Sequence, residues 1–288
     1  MLKLIFGCLG LALYATAALG GVENDCAQVG DYDLAIKGCS MIIERNPRDT
    51  DAFSYRGKAL LSKGDHERAI ADFTEIIRLL PDSPFAYNDR GMAQFTKGNY
   101  DLAIADHTEA IRLEAQAEFY DQRGRAYRQK GEYALAIADH TEAIRLEHAN
   151  DVHYAQRGLA HLAVKDYVAA IEDFTEAIRL DASDDTHFAN RARAHLGRNA
   201  ADQAVADFTE AIRLDAMDAS HYNGRALAYL QAGKPQQGLG DANRALELQP
   251  EDPLALETKA QLLDALNQRQ LRRPPAPRSH NRARERPR

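Results

Sequence analysis

Apolar residues recur along this chain at a helical spacing, and the whole pattern then recurs with a long period. In the stretch AIADHTEAIRLE, Ala103 to Glu114, the apolar positions are Ala103, Ile104, Ala110, Ile111 and Leu113, with His107 on the same side. That spacing, roughly i, i+1, i+4, i+7, i+8, is the stripe of an amphipathic helix. It places Asp106, Glu109 and Arg112 on the other face. The same twelve letters return at Ala136 to Glu147, and related copies start at Ala35, Ala69, Ala170, Ala204 and Gly238. The seven starts are 33 or 34 residues apart. A fixed period in this range predicts a solenoid built from one supersecondary unit.

A second helical pattern precedes each copy. It opens on an aromatic, at Phe53, Tyr87, Tyr120, Tyr154, Phe188 and Tyr222. Four residues on stands Gly57, Gly91, Gly124 or Gly158, then Ala192 and Ala226. Glycine inside a helix costs about 1 kcal/mol relative to alanine, so its recurrence predicts close approach of a neighbouring helix. This pattern ends at Gly64, Gly98, Gly131, Asn199 and Gly233, residues suited to a left-handed helix C-cap. The following helix stops near Pro47, Pro81 and Pro250. Each unit is therefore read as helix, tight turn, helix, short loop.

At these residues the chain resembles the tetratricopeptide repeat (TPR) family. One unit supplies Phe53, Gly57, Ala69, Phe73, Ile76 and Pro81 in the family's order, and the resemblance covers roughly residues 22 to 268. The opening aromatic is never Trp, an arginine replaces the usual leucine just before the glycine, and His107 and His140 replace phenylalanine. The resemblance implies an all-α fold, a right-handed α-solenoid superhelix of helical hairpins, with about seven repeats over residues 21–268 and a C-terminal capping helix. Each hairpin would bury its stripe against the next, so neighbouring interfaces need similar residues. The duplicated helix is then scaffold, and function is expected on the first helix of each pair.

With 45% hydrophobic residues the chain can bury a sizeable core. Its opening, MLKLIFGCLGLALYATAALGG, pairs Lys3 with a short apolar run and small residues at Ala15 to Ala17. It reads as a signal peptide, residues 1–20, and so as export to a periplasmic or secreted location of bacterial type; an uncleaved membrane anchor is the alternative. Cys8 lies in that segment. Cys26 and Cys39 remain, in columns occupied elsewhere by pairs such as Tyr127 with His140, and a disulfide between them suits an exported protein; two small buried hydrophobes are the alternative. Residues 269–288 carry eight arginines, one glutamate and four prolines. Such a tail is expected to be disordered and able to meet an anionic envelope component.

Charged columns also follow the period. Arg56, Arg90, Arg123, Arg157, Arg191 and Arg225 recur with Asp72, Asp106, Asp139, Asp173, Asp207 and Asp241, which predicts a ladder of Arg–Asp contacts between helices. A catalytic pair would be unique rather than periodic, and no hydrolase, metalloprotease, phosphate-loop or dinucleotide motif is present. No enzyme activity and no small-molecule cofactor is expected. His153, His187 and His221 recur once per repeat, on the order of 10 Å apart, too far to chelate a metal by themselves. RNA-binding helical repeats need a basic groove; without the tail this chain is acidic, which argues against nucleic acid.

These observations point to a scaffold or adaptor that binds other proteins or extended peptides. The alternatives are an accessory factor for envelope polysaccharide or wall assembly, and an enzyme with an unrecognised site. In the family a concave groove is lined by the first helices. Projection as 3.6-residue turns directs Lys58, Met92, Arg125, Leu159, Arg193 and Leu227 outward from them, beside Asn88, Asp89, Asp121, Gln122, Gln156, Asn190 and Asn223. The set suits a peptide with alternating acidic and apolar side chains. It lacks the full set of lysines and asparagines with which chaperone-binding relatives clamp a terminal carboxylate.

Overall fold

The computed structural model describes residues 21–28 and 30–271; the expected signal peptide and the Arg/Pro-rich tail from residue 272 lie outside the described residues. All regular structure among the described residues is helical. The chain divides into two compact units, between Val164 and Lys165. The first holds a short helical stretch at 21–26 (α1) and then α2 (Tyr32–Arg45), α3 (Thr50–Ser62), α4 (His66–Leu79), α5 (Pro84–Thr96), α6 (Tyr100–Leu113), α7 (Ala117–Gln129), α8 (Tyr133–Leu146) and α9 (Asp151–Ala163). The second holds α10 (Tyr167–Leu180), α11 (Asp185–Gly197), α12 (Ala201–Leu214), α13 (Ala219–Gln231), α14 (Pro235–Leu248) and α15 (Pro253–Leu271). No helix among the described residues is long and apolar enough to cross a membrane.

Within the first unit α3/α4, α5/α6 and α7/α8 form hairpins, and each second helix also packs on the next first helix. The first helices α3, α5, α7 and α9 touch one another in sequence, whereas α4, α6 and α8 do not among the described residues. The layer of first helices is thus the tighter one. The second unit repeats this with α11/α12 and α13/α14, and α15 covers the exposed end against α13 and α14. Each hairpin turn needs a left-handed residue. Gly64, Gly98, Gly131 and Gly233 supply it at φ of 68–81°, Asn199 at 60°, and Lys165 at 63° where no glycine or asparagine is present.

The glycine column has the packing reason that its recurrence implied. A Cβ on Gly57 would come within 2.7 Å of the Phe73 ring, on Gly91 within 2.7 Å of the His107 ring, and on Gly124 within 2.8 Å of the His140 ring. All three rings are fully buried. Burying a phenylalanine contributes about 1.5–3 kcal/mol, and histidine fills the same hole with less apolar gain.

The aspartates placed on the outer face by the helical projection are instead buried: Asp72, Asp106, Asp139, Asp207 and Asp241. The reason is the arginine column. Each of five arginines donates Nε and Nη2 to one carboxylate at 2.6–2.9 Å. The predicted ladder therefore exists as bidentate pairs, stronger and more directional than single surface contacts. Nη1 of each arginine, Arg157 included, reaches back 3.0–3.3 Å to Ser40, Thr74, Thr108, Thr141, Thr175 or Thr209 on the preceding second helix. The guanidinium also lies 5.6–5.9 Å over its own helix's opening aromatic. One side chain thus ties three helix faces together, which explains why arginine stands where the family has leucine.

Candidate functional site

The groove residues fall on the first helices, but at two depths. Lys58, Arg193 and Leu227 are exposed, and Met92, Arg125, Leu159, Gln122 and Gln156 are half-buried. Asn88, Asp121, Asn190 and Asn223 lie beneath them, at most 9% exposed. The buried four form the floor of the face and only the first group offers side chains at its surface.

Near the start of the first unit, Lys58 on α3 and Asp89 on α5 form an ion pair at 3.4 Å. Burial, with Glu118 adding to it, holds the Asp89 carboxyl above the usual carboxylate range despite Lys58. Asn88 donates to Glu118 at 3.4 Å and contacts the Met92 sulfur at 3.8 Å. Lys58, Asn88, Asp89 and Glu118 border a pocket of about 330 Å³ that also includes Leu80 and Phe85. Phe85 is 53% exposed and Leu80 49%, so the pocket offers apolar surface beside charge.

Further along the same unit, Asp121 is already engaged. Its Oδ1 lies 3.3 Å from His153 Nδ1 on α9 and 3.1 Å from His140 Nδ1 on α8. Burial pushes this carboxyl up, but the two imidazoles outweigh it and hold it down at about 2. His140 is close but poorly aligned for a hydrogen bond, so His153 makes the directed one. His153 also faces Glu147 through Nε2 at 3.4 Å. Burial lowers its affinity for a proton, yet the two carboxylates win and raise its pKa. Asp121 is therefore a structural anion, not a free contact for a ligand.

Arg125 behaves differently. Its guanidinium stacks 5.7 Å over Phe95, and its Nε is buried with no hydrogen-bond partner. One turn on, Arg128 donates to Gln156 at 3.3 Å while its own Nε is likewise unpartnered. Burial, then the neighbouring Arg125, hold the Arg128 pKa below the guanidinium range. Neither arginine forms an ion pair among the described residues, whereas the repeated arginines all have partners. The sequence projection included Arg125 and missed Arg128. The signal was available: Arg128 is the one charge in the column Leu61, Phe95, Arg128, Leu162, Leu196, Leu230.

In the second unit, Asn190 accepts a hydrogen bond from Arg193 at 2.7 Å, and Asn223 has its side-chain oxygen buried and unpartnered. His221, on α13, meets Asp185 at 2.7 Å and Asp218 at 3.6 Å. Histidines of this column stand too far apart to chelate together, but here carboxylates from α11 and from the N-cap of α13 converge on one imidazole.

Profiles of the tetratricopeptide repeat family match residues 27–84 and 189–268, and residues 86–116, 117–150 and 154–184. No curated protein sequence matches the chain. Among solved structures it is similar to a chain of the Cut9–Hcn1 APC/C hetero-tetramer, at a TM-score of 0.66 and 19% identity over 84% of this chain and 50% of that one. The chain thus spans half the length of that relative. A tetratricopeptide repeat protein from Parabacteroides merdae gives 0.66 at 15% identity over 86% of this chain and 98% of that chain. YrrB, described as a TPR protein with an unusual peptide-binding site, gives 0.55 at 20% identity over 65% of this chain and 97% of that chain. At these identities the likeness concerns the fold. The family profiles cover most of the sequence from residue 27 to residue 268, and the repeat, its left-handed turns and its glycine-on-ring packing agree with them; the chain belongs to the tetratricopeptide repeat family.

Proposed function

We propose that this protein is a non-enzymatic scaffold that binds an extended, acidic peptide segment of a partner protein across the first-helix face of its first unit. TPR proteins in general mediate protein–protein interaction, and YrrB is described as having a peptide-binding site. The observation that carries the finer reading is the Arg125/Arg128 pair. Two adjacent, half-buried guanidiniums repel each other, and neither has an ion-pair partner among the described residues. An incoming carboxylate relieves that repulsion, and a charge-assisted hydrogen bond is about twice as strong as a neutral one. Leu159, Leu80 and Phe85 supply apolar surface for the alternating residues of such a peptide. The N-terminal sequence pattern supports export with loss of the first 17 to 20 residues, a point settled by N-terminal sequencing of the native protein.

The test is a library of extended peptides with alternating acidic and apolar residues, read by fluorescence anisotropy against the whole chain. Arg125→Ala with Arg128→Ala should weaken binding by about 2–4 kcal/mol while circular dichroism stays unchanged. Binding that depends instead on residues 269–288 would move the function to the tail and favour an anionic envelope polymer.

A further inference from the structure

We propose that His221, Asp185 and Asp218 form a binding site for a divalent ion of the zinc class on the second unit. His221 Nε2 and one carboxylate oxygen from each aspartate lie within 4.8 Å of one another. The imidazole is 98% buried, so its position is set by packing rather than by solvent. It sits between the N-terminal end of α11, where Asp185 is the first helical residue, and that of α13, where Asp218 is the N-cap. The Nε2 distances to the two carboxylates are 2.7 and 3.6 Å. Two ligands bound at ~2.0–2.2 Å with tetrahedral angles stand roughly 3.3–3.5 Å apart. The observed separations bracket that value, and small rotations of two half-exposed aspartates would meet it.

The oxygens are available. Asp218 uses Oδ1 to cap α13 by accepting from Ser220 N at 2.7 Å, which leaves Oδ2 directed at the histidine. Asp185 makes no other polar contact among the described residues. Two carboxylates facing one imidazole concentrate negative charge, which a dication would balance. Donor type selects the ion: one imidazole nitrogen with two carboxylates suits zinc, cobalt or nickel, whereas calcium and magnesium prefer oxygen alone. Three protein ligands leave a fourth position open to water.

Binding moves one proton. Metal on Nε2 displaces the proton that Nε2 shares with Asp185 and leaves the ring protonated at Nδ1. Nδ1 is buried without an acceptor, so the site should be weaker than a closed structural zinc site. The sequence carries the spacing as an Asp-x-x-His pair, DASH at Asp218 to His221, and again one period earlier as DDTH at Asp184 to His187.

The experiment titrates the EDTA-stripped whole chain with Co2+, following the visible bands of tetrahedral cobalt, and then displaces it with Zn2+. Asp185→Asn and Asp218→Asn should each lower Co2+ affinity at least ~10-fold; asparagine keeps the cap at 218, and far-UV circular dichroism verifies folding. Glu147→Gln, beside His153 in the first unit, should leave the signal unchanged. Equal Co2+ binding by wild type and the double Asp185→Asn, Asp218→Asn variant would overturn the proposal. So would no binding by wild type, or tighter binding of Mg2+ or Ca2+ than of Zn2+.

Discussion

His107 should make the stack acid-sensitive, and His107→Phe should remove that sensitivity. The imidazole occupies the hole that phenylalanine fills one repeat earlier, pressed on Gly91 as Phe73 presses on Gly57. It is fully buried, and neither ring nitrogen has a hydrogen-bond partner. Burial, with Arg123 adding repulsion, lowers its pKa from the ordinary 6.5 to about 4. A base whose folded pKa is depressed takes up its proton first in the unfolded chain. Stability from this group is therefore complete above about pH 6.5 and is lost as pH falls from there towards 4. At pH 5 the difference amounts to roughly 2 kcal/mol, at 1.36 kcal/mol for each unit of pH. Phenylalanine also removes two unsatisfied polar atoms, worth ~1–3 kcal/mol at any pH. Urea unfolding of wild type and His107→Phe at pH 7.5 and pH 5 measures both effects. The variant should be the more stable at pH 7.5, and its margin should widen at pH 5. Histidines elsewhere titrate in both proteins, so the widening isolates His107. A margin that is constant with pH, or an NMR titration of His107 near 6.5, would refute the reasoning.

Arg123→Leu restores the residue usual in the family yet strands a buried Asp139; it should cost about 3–5 kcal/mol, and adding Asp139→Leu should recover most of the loss in thermal unfolding. Cys26 and Cys39 are joined in the structure between α1 and α2. Non-reducing mass spectrometry of the native protein should find that bond, and Cys39→Ser should destabilise the first hairpin by up to ~3 kcal/mol, with amide exchange accelerating in α2 and not in α12.

The architecture was legible because it is periodic. Apolar spacing, the glycine column and the capping residues each repeat, so every repeat restates one local rule and the errors average out. The depth of individual polar residues was not legible in the same way. A helical projection assigns Asp106 and its equivalents to the outer face, because it treats a carboxylate as hydrophilic wherever it stands. Burial became affordable only through the bidentate arginine from a helix sixteen residues earlier, a contact that no single-helix pattern contains. Asn88, Asp121, Asn190 and Asn223 project beside the outward column for the same reason and lie beneath it. His221 shows the opposite limit: its carboxylate partners come from another repeat and from a cap, so a column of histidines does not reveal them.

The repeated charges also decide where recognition can occur. The tail's +7 set against the chain's −7 leaves −14 for the remaining residues, so an acidic peptide approaches against repulsion. The Arg–Asp pairs offer no relief, because their guanidiniums are already spent on carboxylates within their own unit. Attraction must come from positive charge that the fold leaves unpaired, and within the first unit Arg125 and Arg128 supply it at the half-buried face. Added salt screens the long-range repulsion between exposed charges over about 10 Å at 0.1 M, and screens a half-buried contact far less. Binding to these two arginines should thus hold or strengthen as salt rises towards 0.1 M. Capture by the basic tail, where every charge is attractive and solvated, should weaken steeply over the same range. Residues copied in every repeat can make only contacts copied in every repeat. A partner that must choose one place on the stack has to read the positions where the copying fails.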